Sequence, residues 1–247
     1  VKVNNIIEYT EKIAPFDAAA EWDNVGLLVG DKNAEISRVL LALDITPEVV
    51  KEAKEKGAGL IVSHHPVIFS PISALKPDAA EYLLAKYDIA ALCLHTNLDR
   101  AEEGVNVALG KALGLKNTVF YPEDFLLVGE PETPCDADAY AEIIKDKLHA
   151  PSVRYTDGKV RRAAVSSGGG GEGVELYKKY GFDAFVTGEM KHHQYLYAQA
   201  HGIAAFDAGH FSTEDVVIKS LCDMLKKEFP DAEFLTSDKC VCPYKAI

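Results

Sequence analysis

The chain repeats itself: residues 38–65 align without a gap on residues 162–189, and this constrains the fold more than any other feature. Gly57 falls on Gly181, and KEAKEKGAGLIVSHH lines up with ELYKKYGFDAFVTGE, so both halves offer a helix, a glycine stop and an apolar strand in one order. A second block agrees. YLLAKYDIAALCLHTNLD, from Tyr82, resembles YLYAQAHGIAAFDAGHFSTE, from Tyr195, once one residue is inserted before the Ile-Ala-Ala run. All βαβ units share part of this pattern, so chance likeness is the competing account.

Apolar β-rich runs alternating with helical patterns specify an α/β fold with mixed, largely parallel sheets and helices packed on them. Strands are expected at 38–44, 59–63 and 89–94, and helices at 48–56, 79–86 and 103–113. Thr46 suits an N-cap, Pro47 the first helical position and Gly57 the C-terminal stop. Val3, Ile6, Ile7, Thr10 and Ile13 share one helical face at the start. The Pro-containing stretch 121–133 has weaker periodicity and is the expected boundary between a first lobe, 1–124, and a second, 125–247, with the C-terminal strand free to return to the first.

The net charge of −12, without a Lys/Arg cluster, argues against a phosphate backbone as partner. No apolar run approaches the roughly 20 residues that span a bilayer. The start lacks the basic and apolar segments of a secretion signal, so the expected location is the cytoplasm. Five scattered cysteines suit a reducing compartment, and Cys240 and Cys242 are read as reduced thiols on a terminal strand because no second Cys/His pair completes a zinc site.

Open α/β sheets bind ligands beyond the carboxyl ends of their strands. Three such ends carry metal-type donors: Ser63-His64-His65-Pro66, His95-Thr-Asn-Leu-Asp99 and Gly209-His210-Phe-Ser-Thr-Glu214. Imidazole with carboxylate suits divalent zinc, iron, manganese or similar ions. Adjacent His64 and His65 can serve two ions, and Glu214 could bridge them through its two oxygens. His95/Asp99 and His210/Glu214 share a spacing of four, which puts each pair on one side of a helical turn. One histidine alone is more often a packed or solvated residue, and His192, His193, His149 and His201 are read as solvated. The run Gly168–Gly173 matches G-x-G-x-x-G after an apolar strand, but four consecutive glycines match by composition, and a tight turn admitting a backbone or a phosphate is the preferred reading.

Trp22-Asp-Asn-Val-Gly-Leu, Ser63-His-His-Pro, His95-Thr-Asn-Leu-Asp99, Gly188-Glu189 and Gly209-His210-Phe-Ser-Thr-Glu214, in this order over nearly the whole chain, resemble the NIF-three-like dinuclear-metal proteins, the GTP cyclohydrolase 1 type 2 homologues. The resemblance implies two similar interlocked α/β lobes, two divalent ions per chain and a homohexamer. It implies ligands at His64, His65, Asp99, His210 and Glu214, with His95 close by. Phe125-Leu-Leu-Val-Gly-Glu130 runs directly into the second lobe, the short form without the inserted domain of longer members.

The leading expectation is a metal-dependent hydrolase with a nucleotide as substrate, in which His95 shuttles protons; a packed histidine is the alternative for that residue. The competing expectation is a metal-binding or metal-delivery assembly acting through protein partners. A dehydrogenase using the glycine loop stands third.

Overall fold

Local chemistry sets the first crossover. In the computed structural model, which describes residues 1–246, the Thr46 hydroxyl accepts from Val49 N–H at 3.3 Å and Pro47 opens the helix Pro47–Lys56. Gly57 ends it in the left-handed region at φ 69°, where a residue without Cβ is unstrained. Strand Leu60–Ser63 follows, parallel to Arg38–Ala42 with Val39 opposite Leu60.

The chain divides into two units, and each carries its own mixed sheet. The first comprises Val1–Ala101 and Ile218–Val241. Its strands run Gly26–Val29, Ala90–Cys93, Leu60–Ser63, Arg38–Ala42 and Glu233–Thr236, all parallel except Gly26–Val29. Leu60–Ser63 and Ala90–Cys93 are buried throughout, so they read as continuous apolar runs instead of alternating ones. Helices Pro47–Lys56 and Ala80–Tyr87 cover one face, with Val49, Val50, Ala53, Leu83 and Leu84 against Leu40, Ile61 and Ala91. The N-terminal helix Val3–Ile13 buries Val3, Ile6 and Thr10, while Ile7 and Ile13 are half-buried.

The second unit comprises Glu102–Val217 and residues 242–246; Ile247 lies outside the described residues. Its sheet runs Lys116–Tyr121, Leu126–Glu130, Ala163–Ser166, Ala184–Thr187, Ala204–Asp207 and Arg154–Tyr155. The three strands from Ala163 to Asp207 are mutually parallel and the others antiparallel. Helix Ala137–Lys147 packs Tyr140, Ala141 and Ile144 against Val165, Val186 and Phe206. Val174 and Ala198 pack with Phe185 and Ala205.

The repeat is topological as well as sequential. Ala163 pairs with Ala184 as Val39 pairs with Leu60, and Gly181 adopts φ 67° where Gly57 adopts 69°. The crossovers differ. In the second repeat the structure departs from the expected helix: a 3₁₀ segment, Gly171–Leu176, and one α turn, Tyr177–Tyr180, stand in its place, because the glycine run supplies neither cap nor helix propensity.

The stretch 121–133 does not separate the units. Pro122–Asp124 forms a turn, Phe125 takes a left-handed conformation at φ 51°, and Leu126–Glu130 pairs back on Lys116–Tyr121 and on Ala163–Ser166. Its periodicity is weak because Leu126 through Gly129 are all buried, and the passage between units falls earlier, at Glu102. Cys240 and Cys242 lie past strand Glu233–Thr236 instead of on it; Asp44 N–H donates to Cys240 Sγ at 3.4 Å. Cys93 and Cys222 are buried free thiols, and Cys135 and Cys242 are half-buried ones. Among the described residues no helix is long and apolar enough to cross a membrane.

Candidate metal centre

Parallel pairing of Leu60–Ser63 with Ala90–Cys93 sets Ser63 opposite Cys93, so the residues that follow, His64, His65 and His95, leave the sheet at neighbouring carboxyl ends. Their donor atoms all lie within 4.8 Å of one another, and the ring centroids are 5.0 Å (His64–His65), 5.2 Å (His64–His95) and 5.6 Å (His65–His95) apart. His95 caps the short helix Thr96–Asp99, which brings Asp99 Oδ1 to 3.8 Å from His64 Nε2.

Each imidazole is held by its Nδ1. His64 Nδ1 bonds the Leu94 carbonyl at 2.9 Å, His65 Nδ1 bonds Asp44 Oδ1 at 2.7 Å and His95 Nδ1 bonds Asp23 Oδ1 at 2.8 Å. A carbonyl or carboxylate partner keeps the proton on Nδ1, which leaves the lone pair on Nε2; metal-binding histidines are oriented in this way. Burial alone would push the Asp23 carboxyl up, but hydrogen bonds from His95 and from the hydroxyl and N–H of Thr96 outweigh it and hold Asp23 well below the usual carboxylate range. Asp23 is thus an anion at neutral pH, fixed behind His95.

The second unit repeats the device. Gly209 precedes the short helix His210–Glu214 beyond strand Ala204–Asp207, and the spacing of four carries His210 Nε2 to 3.0 Å from Glu214 Oε2. His210 Nδ1 lies 3.0 Å from Glu189 Oε1, delivered by the end of strand Ala184–Thr187. Glu214 is 5% exposed, so its carboxylate is withheld from bulk water. The glycine run explains how it fits: a Cβ on Gly168, at φ +54°, would stand 2.0 Å from Glu214 Oε1 and 3.1 Å from His210 Nε2. The tight turn is therefore there to admit Glu214, a side chain of its own unit. A cleft of about 550 Å³ opens beside His210, lined also by Arg154, Glu189, Lys191, Gly209 and Tyr244.

Every candidate donor thus meets another in its own unit: His64, His65, His95 and Asp99 in the first, His210 and Glu214 in the second. Neutral imidazole and carboxylate are the donors zinc, iron and manganese take, so the residues fit a divalent ion. His95 stands in the same donor set as His64 and His65. His192 and His193 are exposed on helix His192–Ala200, and His149 and His201 are exposed as well. Sequence reasoning missed the anchors Asp23 and Asp44. Both were findable: Asp44 follows strand Arg38–Ala42 at the same sheet edge, and Asp23 belongs to the Trp22-Asp-Asn run.

Two α/β units with histidine–carboxylate clusters at their strand ends define a class of candidate metal-binding α/β proteins. The family model Duf34/NIF3 (NGG1p interacting factor 3) matches residues 1–241, and the chain belongs to this family. It is 31% identical over 271 residues, all of both chains, to a "GTP cyclohydrolase 1 type 2 homolog" of Clostridium perfringens. A protein of the same description from Staphylococcus aureus is 30% identical over 346 residues, covering 93% of this chain and 94% of its own. The crystal structure of Staphylococcus aureus protein SA1388 superposes with a TM-score of 0.93 at 30% identity, covering 100% of this chain and 99% of that one.

Proposed function

We propose that the protein is a metal-dependent hydrolase of the GTP cyclohydrolase 1 type 2 kind, with two divalent ions per chain held by His64, His65, Asp99, His210 and Glu214. The observation that carries the reading is the shared anchoring of the imidazoles, each Nδ1 on a carbonyl or carboxylate so that Nε2 is the donor atom. A bound divalent ion would acidify a water molecule and polarise the centre under attack. The carboxylates of Asp99 and Glu214 would offset its charge. His95, whose Nδ1 is held on Asp23, would pass a proton to and from the reacting centre through Nε2. The descriptions of the relatives favour GTP as the first nucleotide to try, and assembly into a homohexamer belongs to the same proposal.

Elemental analysis of wild type and Glu214→Ala, followed by a hydrolysis screen that includes GTP, tests this. About two metals per wild-type chain, lost in the variant together with an activity, are expected. Two metals without turnover would point to a metal-binding or delivery assembly, and a metal-free wild type would remove the proposal. In His95→Ala, retained metal with lost turnover assigns the proton role, whereas lost metal makes His95 a ligand.

A further inference from the structure

Beside the first unit's histidine cluster stand two large aromatic rings that the core does not use. Trp22 is 64% exposed and Phe69 52% exposed, although each is large enough to anchor a core. Their centroids lie 5.9 Å apart with the planes tilted by 48°. Both close on the same imidazole: the Trp22 ring is 6.0 Å and the Phe69 ring 6.4 Å from that of His95, at interplanar angles of 75° and 79°.

The backbone fixes this arrangement. Asn24 Nδ2 donates to the Ile68 carbonyl at 2.6 Å, which ties the segment carrying Trp22 to the one carrying Phe69. Asp23, between Trp22 and Asn24, bonds His95 and Thr96. Three consecutive residues therefore supply an aromatic face, the anchor of the cluster histidine and the clamp on the second aromatic face. Solvent-exposed rings tethered next to polar donors form a surface for a flat, apolar-faced group with polar edges.

We infer that Trp22 and Phe69 form a stacking platform for a planar aromatic heterocycle, of purine-like chemistry, in the molecule on which the histidine cluster acts. The inference deepens the proposed hydrolase and rests on that reading for its purpose. A ring stacked on these faces lies next to His95, whose ring is 5.2 Å from His64 and 5.6 Å from His65. With the two planes tilted by 48°, a planar heterocycle stacks flat on one ring and meets the other edge-on, a contact of single-ligand size that favours a small molecule over an apolar protein surface.

Trp22 is the chain's only tryptophan, so its fluorescence reports on the platform without interference. The metal-loaded protein is titrated with guanosine 5′-monophosphate and, as the ring-free control, ribose 5-phosphate, with excitation beyond the purine absorption band. Saturable quenching by the nucleotide alone is expected, weakened about fivefold or more in Phe69→Ala and in Asn24→Ala, since a base on an aromatic ring contributes about that factor at the least. Metal content and circular dichroism of both variants should match wild type. Absent quenching, equal quenching by ribose 5-phosphate, or unchanged affinity in Phe69→Ala overturns the inference. So does a Trp22→Ala protein of smaller sedimenting mass, which would assign the rings to contact between copies. Metal measured on the same samples separates the two readings: a failed platform leaves metal bound, and a failed metal centre leaves the quenching intact.

Discussion

Gly168→Ala puts the packing of the second unit's carboxylate to a direct test. Two costs arise at this position, and they fall on different observables. A left-handed conformation, here at φ +54°, costs a residue with a Cβ about 1–2 kcal/mol. For a chain of this length each kcal/mol lowers the melting temperature by about 2–4 °C, so the backbone term alone predicts a drop of about 2–8 °C. The new methyl would also stand 2.0 Å from Glu214 Oε1, well inside van der Waals contact. That oxygen ends a flexible side chain, so the overlap is relieved by swinging the carboxylate away, and metal affinity falls more than stability does. Gly169→Ala is the matched control, because a Cβ there meets nothing within 4 Å. Thermal melts by circular dichroism and metal content by elemental analysis read both effects. Should Gly168→Ala melt within a degree of Gly169→Ala and keep its full metal, the close approach of Glu214 to the glycine turn is refuted.

Three further outcomes are expected. Glu52 is buried, which raises its carboxyl, but Lys56, the Ser237 hydroxyl and Asp238 N–H outweigh burial and hold it below the usual range. A lowered folded pKa contributes stability above the ordinary value of 4.5 and loses it as pH falls below that, so Glu52→Gln should lower the melting temperature at pH 7 and differ less from wild type at pH 3; an unchanged gap contradicts this. Asp207 is 4% exposed and accepts from Met190 N–H (3.1 Å), Gly209 N–H (3.3 Å), the Tyr195 hydroxyl (3.0 Å) and Arg154 (2.5 Å), so Asp207→Ala strands buried donors and should cost about 1–3 kcal/mol in denaturant titration. Exposed His192 and His193 can be replaced together by alanine with metal content intact, and a loss of metal would revise which histidines bind it.

The local elements were legible because their causes are local. Thr46, Pro47 and Gly57 specify one helix from cap to stop, and the strand cores at 60–63 and 90–93 are short, largely apolar runs that suit a sheet covered on both faces. The place of Leu126–Glu130 in the second sheet is not legible in the sequence, because a strand buried on both faces carries no periodicity and its pairing partners are chosen by the rest of the sheet. The short 3₁₀ crossover at Gly171–Leu176 was likewise hidden behind a repeat that aligns without a gap.

Periodicity, capping chemistry and donor spacing act within a few positions, and they suffice for the α/β class, the paired parallel-strand crossovers and the residue types able to hold a metal. Folding of distant segments onto one another sets which nitrogen of each histidine faces outward. That depends on Asp44, 21 residues from His65, Asp23, 72 residues from His95, and Glu189, 21 residues from His210. It also decided that a glycine run makes room for Glu214. A hydrogen bond or a close approach between distant segments is a property of distance in space, and one sequence carries no record of that distance until the sheet sets it.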